Sequence, residues 1–407
     1  MRRAALALGL ALTAACKPGR GVPADEAPPP PRDAGPARDG AGAGDATPAV
    51  TDAGAVDPAR WPQLAAFPVV DPVRVIALPA RPDVPRIDVG GPVIAGDVAI
   101  VSSSQLGFAA IDWRRGTVVW TRSAGLHVAP PVAGPQGVIL IGDCIAAAQV
   151  TDALLGCVRV VTPSGADQSY AAIHGAHVAA FAGARGDQDA WLDGDRAVRW
   201  RRGDQAVSVD MITGVATPAA PAAPPVRVVY RTHAWDITRT DEHIIARERG
   251  KIAWQTRRPY TALVGAVYLT GFSPMVRLTS IGVFAGNAEL NLLDMDATGS
   301  MHGTAAFPVP AISALGHAID AVGNTAIAVR MDASLRHDFI VGYAANALLM
   351  YVYPLPEIPR AERVGVAIAP DAVLVFHDGD SFTVLPELSA PPTAPGVPQR
   401  PSQNPTP

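Results

Sequence analysis

Lysine is almost missing from this 407-residue chain: it occurs only at Lys17 and Lys251, while arginine is frequent. We read that bias as genomic base composition rather than as chemistry. Charged residues make up 17% of the chain and the formal net charge is -4, too little to steer it to nucleic acid or an anionic membrane surface. Cysteines number three and none are adjacent. Neither H-E-x-x-H nor G-x-S-x-G occurs, so the commonest zinc-hydrolase and serine-hydrolase signatures are absent. No stretch of 61–388 holds helical periodicity over about a dozen residues, which excludes a helical bundle. What the chain does have is 49% apolar residues, enough for a sizeable core, with 38 glycines and 40 prolines to punctuate it.

The opening MRRAALALGLALTAA has Arg2 and Arg3 ahead of a short apolar run, Ala4 to Leu12. That run falls short of the ~20 residues needed to cross a bilayer. It reads as a secretory signal peptide over residues 1–15. Thr13, Ala14 and Ala15 then precede Cys16, an arrangement that resembles the lipobox of bacterial lipoproteins, with Thr13 where that family prefers leucine. The resemblance implies that Cys16 becomes a lipidated N-terminus, anchored to the outer membrane and facing periplasm or cell surface. Acyl burial contributes about 0.8 kcal/mol per CH₂, so several chains suffice for stable anchorage. The remaining Cys144 and Cys157 flank a segment that reads as an enlarged hairpin loop, and an exported chain can oxidise them to a disulfide.

Residues 17–60 contain no aromatic residue, Leu, Ile or Met, and are rich in Ala, Pro, Gly and Asp. Such a segment buries too little apolar surface to offset its ordering entropy. With Cys16 it forms a tether, 16–60, with a root-mean-square reach of roughly 35–40 Å. The globular part is expected over 61–388, followed by a Pro-rich tail, 389–407. The run Gly40 to Gly44 lies in the tether with no strand before it and is not a phosphate loop.

The clearest unit runs from Pro92 to Arg122 as four short strands with tight turns: a meander, the unit of a propeller blade. It carries Ala110-x-Asp112-x-x-x-Gly116-x-x-x-Trp120. Echoes follow. Asp210 and Gly214 keep the turn but have Pro218 at the tryptophan place. Gly250 and Trp254 keep the glycine and tryptophan but have Ala246 at the aspartate place. Gly165 and Gly299 keep the turn glycine. The turn glycines at 116, 165, 214, 250 and 299 recur at roughly the 40–50-residue period of propeller blades. Two further units, Ile319–Leu355 and Val364–Leu385, keep only the strand pattern. The fold expected is all-β: a β-propeller of about seven four-stranded blades, eight being the upper count. A strand at Val73–Leu78 is expected to pair with the last blade and close the ring.

The motif around Trp120 resembles the tryptophan-docking signature of quinoprotein-like (PQQ-like) propeller repeats. In that reading Asp112 bonds turn N–H groups, Gly116 takes positive φ and Trp120 fills the gap between blades. A fully buried Trp120 would cost about 3–5 kcal/mol to truncate to alanine. Anchor, tether and repeats together resemble the propeller lipoproteins of the outer-membrane β-barrel assembly machine. That likeness implies a non-catalytic scaffold for envelope proteins, with no cofactor.

The alternatives are a quinoprotein dehydrogenase holding pyrroloquinoline quinone and calcium, whose vicinal cysteine pair is missing here, and a surface binder of carbohydrate or small ligands. Other candidate sites read as bland. Asp294 to Gly299 resembles the start of an EF-hand loop, but its twelfth position is Ala305 rather than glutamate. His174 and His177 stand at helical spacing with no third ligand nearby. Arg196, Arg199, Arg201 and Arg202, with Arg227 and Arg231, read as a solvated face. His337-Asp338 is an acid/base pair only if it lines a cleft.

Overall fold

A computed structural model describes residues 50–51, 67–81, 83 and, apart from loop segments, 90–388. The contacts divide the chain into Met1–Ala46, which lies outside the described residues, and Thr47–Pro407. The signal peptide, Cys16, most of the tether, Cys144, Gly299, His177, Arg231, His337 and the tail 389–407 also lie outside them.

Two strands precede the first meander: β1 (Val50–Thr51) and β2 (Arg74–Ala77). Sheet 1 comprises β3 (Gly90–Ala95), β4 (Val98–Ser103), β5 (Gly107–Asp112) and β6 (Thr117–Arg122). Sheet 2 comprises β7 (Val132–Gly134), β8 (Gly137–Gly142), β9 (Leu154–Val161) and β10 (Asp167–His174). Sheet 3 comprises β11 (Gln188–Asp193), β12 (Ala197–Arg202), β13 (Gln205–Asp210) and β14 (Ala216–Ala219). Sheet 4 comprises β15 (Val226–Tyr230), β16 (His233–Arg239), β17 (His243–Glu248) and β18 (Lys251–Arg257). Sheet 5 comprises β19 (Leu263–Thr270), β20 (Ser273–Phe284), β21 (Asn287–Asp296) and β22 (Met301–Pro310). Sheet 6 comprises β23 (Ser313–Ile319), β24 (Thr325–Arg330), β25 (Asp338–Tyr343) and β26 (Leu349–Pro354). The chain ends with β27 (Gly365–Ala369), β28 (Ala372–His377) and β29 (Ser381–Pro386).

Each of sheets 1 to 6 is an antiparallel meander in chain order. The last unit has only three strands of its own. β2 pairs antiparallel with β29, Ile76 opposite Phe382, and β1 pairs with β2, giving a five-stranded closing sheet in the order β1-β2-β29-β28-β27. The expectation of about seven four-stranded blades is therefore corrected to six, plus this composite sheet. A second correction is local: Val50 and Thr51, a β-branched pair inside the span read as tether, form the fifth strand. First strands lie beside first strands around the ring: β3 by β7, β7 by β11, β15 by β19, β19 by β23, β23 by β27, and β27 by β3.

The cores lie between sheets. Val98, Ile100 and Phe108 of sheet 1 meet Val138, Leu140 and Val161 of sheet 2. Ile139, Val158 and Val160 meet Val198, Trp200 and Val209 of sheet 3. Ile327, Val329 and Phe339 of sheet 6 meet Leu292 of sheet 5. Tyr351 and Ala326 meet Val373 and Leu385 of the closing sheet, and Phe376 and Phe382 meet Ala99, Val101 and Trp113 of sheet 1. Middle strands such as β4 and β28 are thus covered on both faces. They read as continuous apolar runs rather than alternating ones. Close approach at the inner strands demands glycine: a Cβ on Gly365 would strike the Gly91 carbonyl of sheet 1.

Candidate functional site

The turns joining first to second and third to fourth strands share one end of the ring, and most signature residues lie there. The Asp112 carboxylate accepts the Arg115 N–H at 2.9 Å, and the Gly116 N–H donates to the Asp112 carbonyl at 2.8 Å. Gly116 takes φ 74°, and a Cβ there would lie 2.5 Å from Arg74 Cδ. Arg74, on β2, donates to the carbonyls of Trp113 (3.0 Å) and Arg114. The strand that completes the closing sheet therefore also grips the signature turn of sheet 1.

Trp120 reaches across to sheet 2, where its Nε1 donates to the Pro163 carbonyl at 3.0 Å. Its ring lies against Gly165, so closely that a Cβ there would be 2.7 Å from Trp120 Cδ1. Arg122 adds bonds to the Gly165 carbonyl and to Asp167. Trp120 is half-buried rather than fully buried, because it sits on the outermost strand at the mouth of the seam. Its partner Ala110 stands opposite it, inside sheet 1.

Sheet 3 repeats the turn. Asp210 accepts N–H bonds from Ile212 (3.0 Å) and Thr213 (2.8 Å) and an ion pair from Arg196 at 2.6 Å. These bonds, led by that from Thr213, hold its carboxyl well below the usual carboxylate range. Gly214 packs on sheet 2: its carbonyl accepts the His174 N–H at 3.0 Å, and a Cβ would strike the Ala172 carbonyl.

Sheet 4 departs from the sequence reading. Arg249 (φ 51°) and Gly250 (φ 79°) alone join β17 to β18, a tight two-residue hairpin turn instead of the longer Asp/Gly turn. Ala246 is therefore not at the aspartate place. It stands opposite the buried Trp254, as Ala110 stands opposite Trp120. In sheet 6 the third-to-fourth turn has Ala347 at φ 63° where sheets 1 and 3 have glycine, so a search for glycines passes over it.

Further bonds brace the turns within and between sheets, through residues outside the repeat motif. Arg114 bonds Asp371 of the closing sheet at 2.6 Å and Asp97 at 2.7 Å, while the buried Trp113 donates to Asp371 at 3.1 Å. Arg114 first, then Trp113, hold Asp371 below its ordinary value. Arg277 of sheet 5 is fully buried and donates to the Gly323 carbonyl (2.5 Å), Thr325 Oγ1 (3.2 Å) and the Ala345 carbonyl (2.8 Å) of sheet 6. Asn324 Oδ1 accepts the Ala345 N–H at 3.0 Å, binding the two turns of sheet 6 together. On these braced turns stand exposed apolar tips: Ile212 (66%), Val215, Val322 (59%) and Leu348 (59%).

The remaining candidate sites resolve into structure. Asp294 and Asp296 lie within β21, opposite Arg277 and Met275, in extended backbone rather than in a cation-wrapping loop. Arg196, Arg199 and Arg201 pair with Asp210, Asp193 and Asp189, and Arg202 is buried, so the arginine cluster is neutralised rather than a free solvated face. Arg227 lies in β15. Asp338 is buried and gripped by Arg330, with both bonds at 2.9 Å, which leaves it no acid/base part. Cys157 is buried in β9, its Sγ 3.0 Å from the Tyr170 hydroxyl. Among the described residues no group of three His, Cys, Asp or Glu side chains is placed to hold a metal, and no helix is long and apolar enough to cross a membrane.

No protein-family model matches the chain, and no curated protein matches it. Solved structures similar to it include BamB from Moraxella catarrhalis, at 12% identity over 78% of this chain and 99% of that one, with a TM-score of 0.43. Another is the β-propeller domain of Cps50 (Swd1) from Myceliophteria thermophila, at 12% identity over 77% and 98%, TM-score 0.48. A chain of the Mitotic Checkpoint Complex matches at 12% over 79% and 92%, TM-score 0.45. The propeller assignment rests on the meander order and the inter-sheet cores, independently of these likenesses.

Proposed function

We propose that the protein is a non-catalytic, lipid-anchored envelope scaffold whose propeller binds other proteins through its braced turn end. One observation carries the reading: the turns of sheets 1, 3 and 6 are locked by Asp97–Arg114–Asp371, Arg196–Asp210 and Arg277–Ala345, yet present apolar tips at Ile212, Val322 and Leu348. A rigid surface with apolar tips loses little entropy on association, which favours protein binding. The lipobox-like run before Cys16 supports the address, and residues 17–49, ahead of β1, would supply the spacing from a membrane. A part in outer-membrane assembly is the narrower form of this proposal, and a Cys144–Cys157 disulfide belongs to the same exported state.

The test places a photo-crosslinking residue at Ile212, Val322 or Leu348 of the full chain in intact cells. Adducts with envelope proteins are expected from these three positions and not from Val119, exposed on outer strand β6. Absence of adducts from all three refutes the docking end. Dye-linked alcohol oxidation on adding pyrroloquinoline quinone and Ca²⁺ refutes the non-catalytic reading.

A further inference from the structure

The seam between sheets 3 and 4 lacks the indole that stands at the seam between sheets 1 and 2. At the seam between sheets 1 and 2, Trp120 lies on the Gly165 turn and bonds Pro163. In sheet 3 the residue opposite Ser208, two before the turn aspartate as Ala110 is, is Thr217, and the next is Pro218; both are exposed. No indole projects from β14. The facing turn of sheet 4 is also shortened to Arg249–Gly250. Among the described residues nothing lies within 4 Å of where a Gly250 Cβ would be, whereas Gly116, Gly165 and Gly214 each abut a neighbouring sheet.

A third observation comes from register. Val118, opposite Ile111, packs into the core that sheet 1 shares with the sheet before it. Its counterpart in sheet 4 is Ile252, opposite Arg247 across the same one-residue bulge, and Ile252 is 56% exposed. By this register Ile252 faces sheet 3, and more than half of it is open to solvent.

We infer that this seam is a receptor for a tryptophan side chain delivered by a partner protein on an acidic extended segment. The indole would take the place against the sheet 4 turn that Trp120 takes against the sheet 2 turn, with Ile252 as its apolar floor. The exposed cations Arg249 and Lys251 outnumber Glu248, which stands opposite Lys251, so the turn carries a net positive charge that suits an acidic segment. The inference deepens the scaffold reading and rests on it, while using residues that the crosslinking positions leave untouched.

The test titrates the purified full chain with a fluorescein-labelled peptide bearing one Trp among Asp and Glu, read by anisotropy. We expect at least tenfold weaker binding for the same peptide with Ala in place of Trp. A similar loss is expected in Thr217→Trp, which fills the seam from within, and in Ile252→Asp, which puts charge on its floor. Lys251→Glu should weaken binding several-fold and flatten its salt dependence. The inference is overturned if Trp and Ala peptides bind alike, if neither binds, or if a folded Thr217→Trp or Ile252→Asp chain binds as wild type. Adducts from Ile212, Val322 and Leu348 would in that case leave the scaffold reading standing without this partner class.

Discussion

Truncating Trp120 to alanine tests the inter-sheet clasp most directly. A fully buried Trp→Ala change costs about 3–5 kcal/mol. Trp120 is half-buried, so its apolar share falls to roughly half of that. The Nε1 bond to Pro163 adds about 1 kcal/mol, and the Pro163 carbonyl is exposed enough for water to replace the donor. The expected loss is about 2.5–3.5 kcal/mol, toward the low end of the sequence-based figure because the side chain lies at the mouth of the seam. Urea unfolding of the full chain, followed by far-UV circular dichroism, reads it as a lower midpoint. Trp120→Phe separates the terms: it keeps the ring on Gly165 and loses the bond, and should cost about 1 kcal/mol. A loss below about 0.5 kcal/mol in Trp120→Ala, or equal losses in the two variants, refutes the docking argument.

Two further perturbations follow from the turns. Ala347→Gly removes an L-residue from left-handed backbone, a relief of about 1–2 kcal/mol partly offset by the entropy of glycine in the unfolded chain; a net gain of about 0.5 kcal/mol in urea unfolding is expected, and a loss would refute it. Asp210 has its folded-state pKa lowered, so its contribution is complete above the unfolded carboxylate value of about 3.9 and fades as pH falls below that toward the folded value. Wild type should therefore lose more stability than Asp210→Asn between pH 6 and pH 3; equal losses would count against the turn bonds. For the anchor, Cys16→Ser should move the chain from the membrane to the soluble fraction on cell fractionation, and an unchanged distribution would refute lipidation.

Strand positions were legible because β-branched runs between Gly, Pro and Asp leave the backbone few alternatives. The meander from Pro92 to Arg122 and the pairing of the 73–78 segment with the last unit could be read in one dimension. Turn chemistry was legible where it is local: Asp112 and Asp210 bond N–H groups two or three residues ahead, a relation within the motif itself. The hairpin of sheet 4 was misplaced because Gly250 and Trp254 keep the motif's spacing, across the same bulge as in sheet 1, while the turn that ends at the glycine is two residues shorter. Ala347 escaped notice because its positive φ is imposed by the surrounding turn bonds, not by its identity.

Local preference alone determined that this chain makes short antiparallel strands with tight turns. Only the tertiary structure decided how many strands each sheet holds, because that depends on which edges find partners: β29 takes β2 from some three hundred residues away, and β2 in turn takes β1. It also decided which charges are spent. Trp113, Arg114 and Asp371, or Arg277 and the sheet 6 carbonyls, become neighbours only when separate sheets converge. Nothing in a run of residues encodes a seam that lies between two of them.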